Sequence, residues 1–223
     1  MVIKHIIFDC DGVLVDSEPL SMRIDVEILA ENGVVLSAAE AHKRFVGKTF
    51  AAMIAEVERE FRVAFPADAS AQKDQRLLEL YGRELKAVSG VSDALKAMGL
   101  GYSVASNSPH ERVVEALRLT ALSPFFGNRI TTFEHVSRPK PAPDVYIEAA
   151  RRAGVKPDSC LVVEDSATGV TSAMKAGCWV LGFTGTQQHP EQHGEMLKDL
   201  GAEAVFARMA DLPPLVETFT KLS

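Results

Sequence analysis

Cysteine is scarce in this 223-residue chain: Cys10, Cys160 and Cys178 are the only three. They are odd in number, far apart and set in apolar stretches. That argues against a disulfide framework or a zinc site and predicts reduced core thiols in a cytoplasmic protein. No apolar run reaches the roughly 18 residues of a membrane-spanning helix. The first residues lead straight into a strand pattern, with no secretory signal. Positive charge is not in excess: 24 Lys and Arg stand against 30 Asp and Glu, a net charge of −6. Nucleic acid and membrane surfaces are therefore poor partners, while a small anionic substrate remains compatible with local charge. Internal repeats and low-complexity segments are absent too. What is left is a globular chain long enough for a full hydrophobic core, expected to be a monomer with oligomers left open.

The pattern that is present is α/β. Strands are expected at 2–8, 102–105, 129–132, 160–163, 179–183 and 204–206, alternating after residue 90 with helices near 91–98, 109–119, 143–154, 167–176 and 190–200. Such alternation predicts a doubly wound, Rossmann-like parallel sheet covered on both faces. Residues 18–87 carry no strand pattern, only helical ones near 19–32, 38–46, 50–62 and 70–87, punctuated by Gly33, Gly47 and Pro66. The expected organisation is a core of residues 1–16 and 89–223 with an inserted all-helical cap at 17–88. The cap should stand over the carboxyl edge of the sheet, where open α/β sheets bind ligands.

Polar clusters follow four of the strands. Asp9 and Asp11 end the first, one residue apart, so an extended backbone points both to one side. Gly12 then permits a sharp turn. Two acids at the end of a buried strand are costly without a cation, and Mg2+, which takes oxygen ligands, is the natural partner. Alone, an acidic turn would explain them equally well. Ser106, Asn107 and Ser108 follow the second strand and could form an anion site at a helix start or a plain helix cap, with Pro109 at the first helical position. Lys140 lies among Pro139, Pro141 and Pro143, in a stiffened loop that would aim it at a phosphate, or in an ordinary surface turn. Glu164 and Asp165 end the fourth strand, with Ser166 near the cap of the next helix. Together these supply a metal site and a clamp for a phosphoryl group, the positioning and charge neutralisation that phosphoryl transfer needs.

The order D-x-D-G-x-L-x-D-S, then S-N, K-P and E-D-S-x-x-G, resembles the haloacid dehalogenase superfamily. It is similar to the subfamily with a helical cap after the first strand, the β-phosphoglucomutase-like and 6-phosphogluconate-phosphatase-like hydrolases. The resemblance implies Asp9 as nucleophile forming an aspartyl-phosphate and Asp11 as general acid/base with its backbone carbonyl on Mg2+. It implies Ser106 and Asn107 as phosphate-binding groups, Lys140 as the neutralising cation, and Asp165 as a direct metal ligand, with Glu164 on the metal directly or through water. Asp11 argues against carbon–halogen chemistry. Lys43 and Lys48 lie in no setting that would depress an amine pKa, which argues against a Schiff-base lysine. Ser21 and Phe50 stand where a sugar phosphomutase has His and Arg, which weakens the mutase alternative. The basic stretch at 43–48, with Arg44 and Lys48, is a candidate for reaching an acidic substrate, or a solvated helix end. His189 and His193, at i, i+4 spacing with no third ligand, read as a surface pair. A phospho-receiver would be about half this length and would lack a cap. The expected activity is a Mg2+-dependent phosphatase of a small phosphorylated metabolite, a sugar or sugar-acid phosphate.

Overall fold

The computed structural model describes residues 2–45 and 48–221, so Val46 and Gly47 of the basic cap stretch lie outside the described residues. The chain divides into two compact units, Met1–Asp16 with Lys86–Ser223, and Ser17–Leu85.

The larger unit is built on β1 (His5–Phe8), whose four side chains are all buried. Burial on both faces is what a central parallel strand requires. The smaller unit follows, with α1 (Glu18–Glu31), α2 (Ala38–Phe45), α3 (Phe50–Phe61) and α4 (Ala69–Glu84). The chain then returns to the larger unit through α5 (Val91–Ala97), β2 (Gly101–Ser106), α6 (His110–Leu119), α7 (Ser123–Phe126) and β3 (Ile130–Thr132). Next come α8 (Asp144–Arg152), β4 (Cys160–Glu164), α9 (Ala167–Ala176), β5 (Trp179–Phe183), α10 (Pro190–Asp199), β6 (Ala204–Phe206) and α11 (Leu212–Lys221).

Among the described residues the sheet has six strands in the order β3-β2-β1-β4-β5-β6. All neighbours are parallel, with Ile6 opposite Tyr102 on one side and Leu161 on the other. The chain winds outward from β1 in both directions, which opens a crevice at the carboxyl ends of β1, β2 and β4. Ile7, Val162 and Val180 face a core shared with Val145, Tyr146 and Ala149 of α8, Val170 and Ala173 of α9 and Leu197 of α10. Alternation turns Phe8 to the opposite face, where its ring meets Phe126 of α7 edge-on at 6.2 Å. Burying each such large side chain contributes roughly 1.5–3 kcal/mol. The three cysteines are free and buried, as their setting predicted.

The helical unit has its own core of Leu29, Val34, Ala41, Phe45, Met53 and Val57. Lys73 of α4 pairs with Asp25 of α1 at 2.6 Å, both largely buried. Among the described residues no helix is long and apolar enough to cross a membrane.

Three departures from the sequence pattern have local causes. α4 stops at Glu84 because Lys86 and Ala87 run back beside Val15 and Asp16 in a short antiparallel bridge. α7 is only four residues long, too short to show periodicity. α11 lies beyond the last expected element, the strand at 204–206; Pro213 and Pro214 occupy its first turn, where a missing N–H costs nothing.

Candidate active site

Asp9 continues the line of β1, its backbone N–H donating to Val163 O at 2.9 Å, and its side chain is buried. The turn that follows depends on Gly12. Its φ is +78°, and a Cβ there would lie 2.1 Å from Asp165 Oδ2. The glycine thus lets the carboxyl ends of β1 and β4 close on each other. Thr186 Oγ1 fastens the turn by donating to Gly12 O at 2.9 Å.

Lys140 joins three strand ends. Its Nζ donates to Asp9 Oδ1 at 2.7 Å, to Glu164 Oε1 at 2.7 Å and to Ala105 O at 2.9 Å. It also lies 4.7 Å from the centre of the Tyr146 ring. All three ammonium donors are used, so the lysine has one direction. Asn107 fixes its backbone: Nδ2 donates to Lys140 O at 3.1 Å, and Oδ1 accepts from Lys140 N at 2.9 Å. The amide expected on a phosphate thus uses its oxygen and one of its two N–H donors to hold the lysine loop.

Glu164 is fully buried and fully hydrogen-bonded. Oε1 accepts from Lys140 and from Tyr146 Oη at 2.7 Å, while Oε2 accepts from Ser166 N at 3.0 Å and Ser166 Oγ at 2.9 Å. Ser166 also caps α9 by accepting from Gly169 N, as the sequence suggested. Space for the glutamate exists because residue 169 is glycine; a Cβ there would lie 1.6 Å from Oε1.

Burial dominates the electrostatics of the site. Burial raises the Asp9 carboxyl to about 7 despite the pull of Lys140, with the Glu164 and Asp11 carboxylates adding to the rise. Burial works in the same sense on Glu164, but Lys140 and the Ser166 and Tyr146 hydrogen bonds outweigh it and hold that carboxyl below its usual value. Burial would lower Lys140, yet the two carboxylates hold it above the ordinary lysine value. Tyr146 is pushed well up by burial and by Glu164, so it stays a neutral donor. Cys10, between the two aspartates, is pushed well up by burial and by Asp11 and Asp9, which leaves it a protonated thiol rather than a nucleophile.

One lysine cannot neutralise this group. Asp9, Glu164 and Asp165 each offer a carboxylate oxygen within 4.8 Å of the others, and all three are buried. An all-oxygen, carboxylate-rich donor set fits a hard divalent cation. These three residues could therefore hold a metal ion.

The remaining predicted groups are placed as follows. Ser106 is buried, and its Oγ accepts from Ser108 N at 3.0 Å. Among the described residues its hydroxyl makes no other hydrogen bond. Ser108 does not cap α6, whose N-cap is Pro109; its hydroxyl instead bonds Asp11 Oδ2 at 2.5 Å. Arg44 pairs with Glu56 at 3.1 Å and with Glu60, and Lys48 pairs with Glu56 at 2.5 Å. The basic cap stretch is thus answered by carboxylates of α3.

Sequence reasoning missed the loop after β5. Gln187 Nε2 donates to Asp165 Oδ2 at 3.1 Å, and His193 Nε2 lies 2.5 Å from Asp165 O. His193 is therefore not half of a surface pair: it anchors the backbone of an acidic residue of the site. The adjacency of β4 and β5 brings it there, which no local motif reveals.

A family model described as haloacid dehalogenase-like hydrolase matches residues 6–183. The 6-phosphogluconate phosphatase of Escherichia coli is 31% identical over 183 residues, covering 81% of this chain and 82% of that protein. A conserved haloacid dehalogenase-like protein of unknown function from Agrobacterium tumefaciens superposes with a TM-score of 0.87 at 35% identity, covering 98% of this chain and 100% of that one. A HAD family hydrolase from Deinococcus radiodurans, solved with bound phosphate and sodium, gives 0.79 at 30% identity, with 98% of both chains covered.

Proposed function

The chain belongs to the haloacid dehalogenase-like hydrolases, and from that premise we propose that it is a Mg2+-dependent phosphatase of a small phosphorylated metabolite, a sugar or sugar-acid phosphate, with an aspartyl-phosphate intermediate on Asp9. The observation that carries this reading is Lys140 held between Asp9 and Glu164 beside Asp165, at the point where the sheet reverses.

In this reading the Asp9 carboxylate attacks phosphorus, splitting hydrolysis into two displacements. Lys140 neutralises nucleophile and phosphoryl oxygens together. Ser106, its oxygen already accepting from Ser108 N, donates its hydroxyl proton to the phosphoryl group. Asn107 fixes the lysine loop, and its second amide N–H is a donor for the phosphoryl group. Asp11 gives a proton to the leaving alcohol and then takes one from water. Asp9, Asp165 and the Asp11 backbone carbonyl would hold Mg2+, with Glu164, its oxygens occupied, acting through water. Bound there, the ion would neutralise the charge between substrate and nucleophile.

The substrate class rests on the likeness to 6-phosphogluconate phosphatase. The test is a screen of phosphorylated sugars and sugar acids, 6-phosphogluconate among them, for phosphate release with Mg2+. Free phosphate supports a phosphatase; an isomeric phosphate ester as the main product would make the enzyme a mutase. Asp165→Ala should raise the Mg2+ requirement sharply, and Ca2+, with longer bonds and more ligands, should inhibit. Full turnover in excess chelator would remove the metal assignment.

A further inference from the structure

Ser108 is bonded on two sides. Its hydroxyl lies 2.5 Å from Asp11 Oδ2, and Arg112 Nη2, from the first turn of α6, donates to the same hydroxyl oxygen at 2.7 Å. Arginine carries only donors. With its oxygen accepting from Arg112, the Ser108 hydroxyl turns its own proton toward Asp11 Oδ2. Its backbone is fixed as well, through the N–H bond to Ser106 Oγ. A helix-capping role does not account for this arrangement, because α6 has no side-chain cap bond. Oδ2 of Asp11 is thereby held as an acceptor by a hydroxyl whose own orientation is fixed.

We propose that Ser108, oriented by Arg112, is a positioning residue that aims the Asp11 carboxyl for proton transfer. The inference rests on the reading of Asp11 as general acid/base. In the first displacement the Asp9 oxygen–phosphorus bond forms as the phosphorus–alkoxide bond breaks, and a proton passes from the Asp11 carboxyl to the alkoxide. In the second, the water oxygen–phosphorus bond forms as the aspartyl bond breaks, and a water proton returns to Asp11. Each turnover restores Asp11.

The experiment compares kcat/KM, which covers the steps through phosphoenzyme formation, for glycerol 2-phosphate and 4-nitrophenyl phosphate. The alkoxide of the first needs a proton to leave; the phenolate of the second does not. Ser108→Ala should lower the glycerol 2-phosphate value about 10- to 100-fold and the 4-nitrophenyl phosphate value by less than about threefold, since only the acid is misaimed. Ser108→Thr keeps the hydroxyl and should regain most of the loss. Arg112→Met, which acts from outside the serine, should lower the glycerol 2-phosphate value selectively by about 3- to 10-fold. Equal losses on both substrates, or no loss on either, overturn the proposal. Asp11→Asn is the reference. If it is selective for glycerol 2-phosphate and Ser108→Ala is not, the positioning role alone is wrong. If Asp11→Asn is not selective, the acid role of Asp11 falls and this proposal falls with it.

Discussion

Lys140 Nζ and Glu164 Oε1 lie 2.7 Å apart in a setting from which water is excluded, the lysine side chain 3% exposed and the glutamate 0%. The same ammonium holds Asp9, 131 residues away in sequence. The lysine is thus a cationic contact shared by two buried carboxylates, and its loss is a stability event as well as a catalytic one. Lys140→Met, which keeps the stem, should abolish turnover and cost about 3–5 kcal/mol, the penalty of leaving buried charge unpaired. Urea denaturation measures it. A loss under about 1 kcal/mol would mean that the carboxylates are satisfied without the lysine.

Asp9→Asn separates chemistry from folding. The amide is nearly isosteric and can still accept from Lys140, but it does not attack phosphorus at a useful rate. Turnover should fall by more than about a thousandfold, as when a nucleophile is removed elsewhere, with the melting transition little changed. Deamidation must be excluded by mass spectrometry. A folded, sequence-verified Asp9→Asn enzyme with near wild-type turnover would refute the covalent mechanism.

Asp9, Asp11, Glu164 and Asp165 were legible in the sequence because each lies at or just past the end of an apolar strand, and Lys140 because prolines stiffen the loop that carries it. Parallel order then brings such strand ends together. Asn107 was visible as part of the same cluster, but its hold on the lysine loop was not. Its partner is a backbone 33 residues away, and a side-chain amide suits phosphate and peptide equally. Gln187 and His193 were illegible for a different reason: they reach Asp165 only because β5 lies beside β4. Arg112 did have a local signal, four residues beyond Ser108 and so one helical turn away. In the cap, charge pattern alone could not show that Glu56 and Glu60 of α3 would answer Arg44 and Lys48.

His5 supplies a pH test remote from the catalytic carboxylates. Its Nε2 lies 2.9 Å from Ser103 Oγ, and burial, aided by the Arg129 charge, lowers its pKa to about 4. The unfolded chain protonates this histidine near its ordinary value of about 6.5. Below that pH the unfolded state binds more protons than the folded one. The stability from His5 is therefore complete above about 6.5 and is lost as pH falls toward about 4. The full loss is on the order of 3–4 kcal/mol, at about 1.4 kcal/mol for each pH unit between 6.5 and about 4. His5→Gln keeps a polar partner for Ser103 and does not titrate. Its stability should fall less than wild type between pH 7 and pH 4.5. Parallel curves for the two proteins would show that His5 is not kept neutral by the fold.

Two helical glycines should respond to alanine with opposite signs. Alanine is favoured over glycine in a helix by roughly 1 kcal/mol, and nothing else in the ordinary propensity scale distinguishes one helical site from another. Gly82, in α4, has nothing within 4 Å of a built Cβ. Gly82→Ala should therefore stabilise the protein by about 0.5–1 kcal/mol and leave turnover unchanged. Gly169, in α9, is different, since its Cβ would lie 1.6 Å from Glu164 Oε1 and 1.9 Å from Cδ. Glu164 cannot swing aside cheaply, because Lys140, Tyr146 and Ser166 hold both of its oxygens. Either the helix N-terminus shifts or those bonds break, and overpacking of this kind costs typically about 1–3 kcal/mol. Gly169→Ala should thus be destabilising against its own helix propensity, and it should lower turnover by displacing Lys140 from Asp9. Chemical denaturation and steady-state assay of the two variants decide the matter. A stabilised, fully active Gly169→Ala would mean that Glu164 is not locked in the position that anchors Lys140.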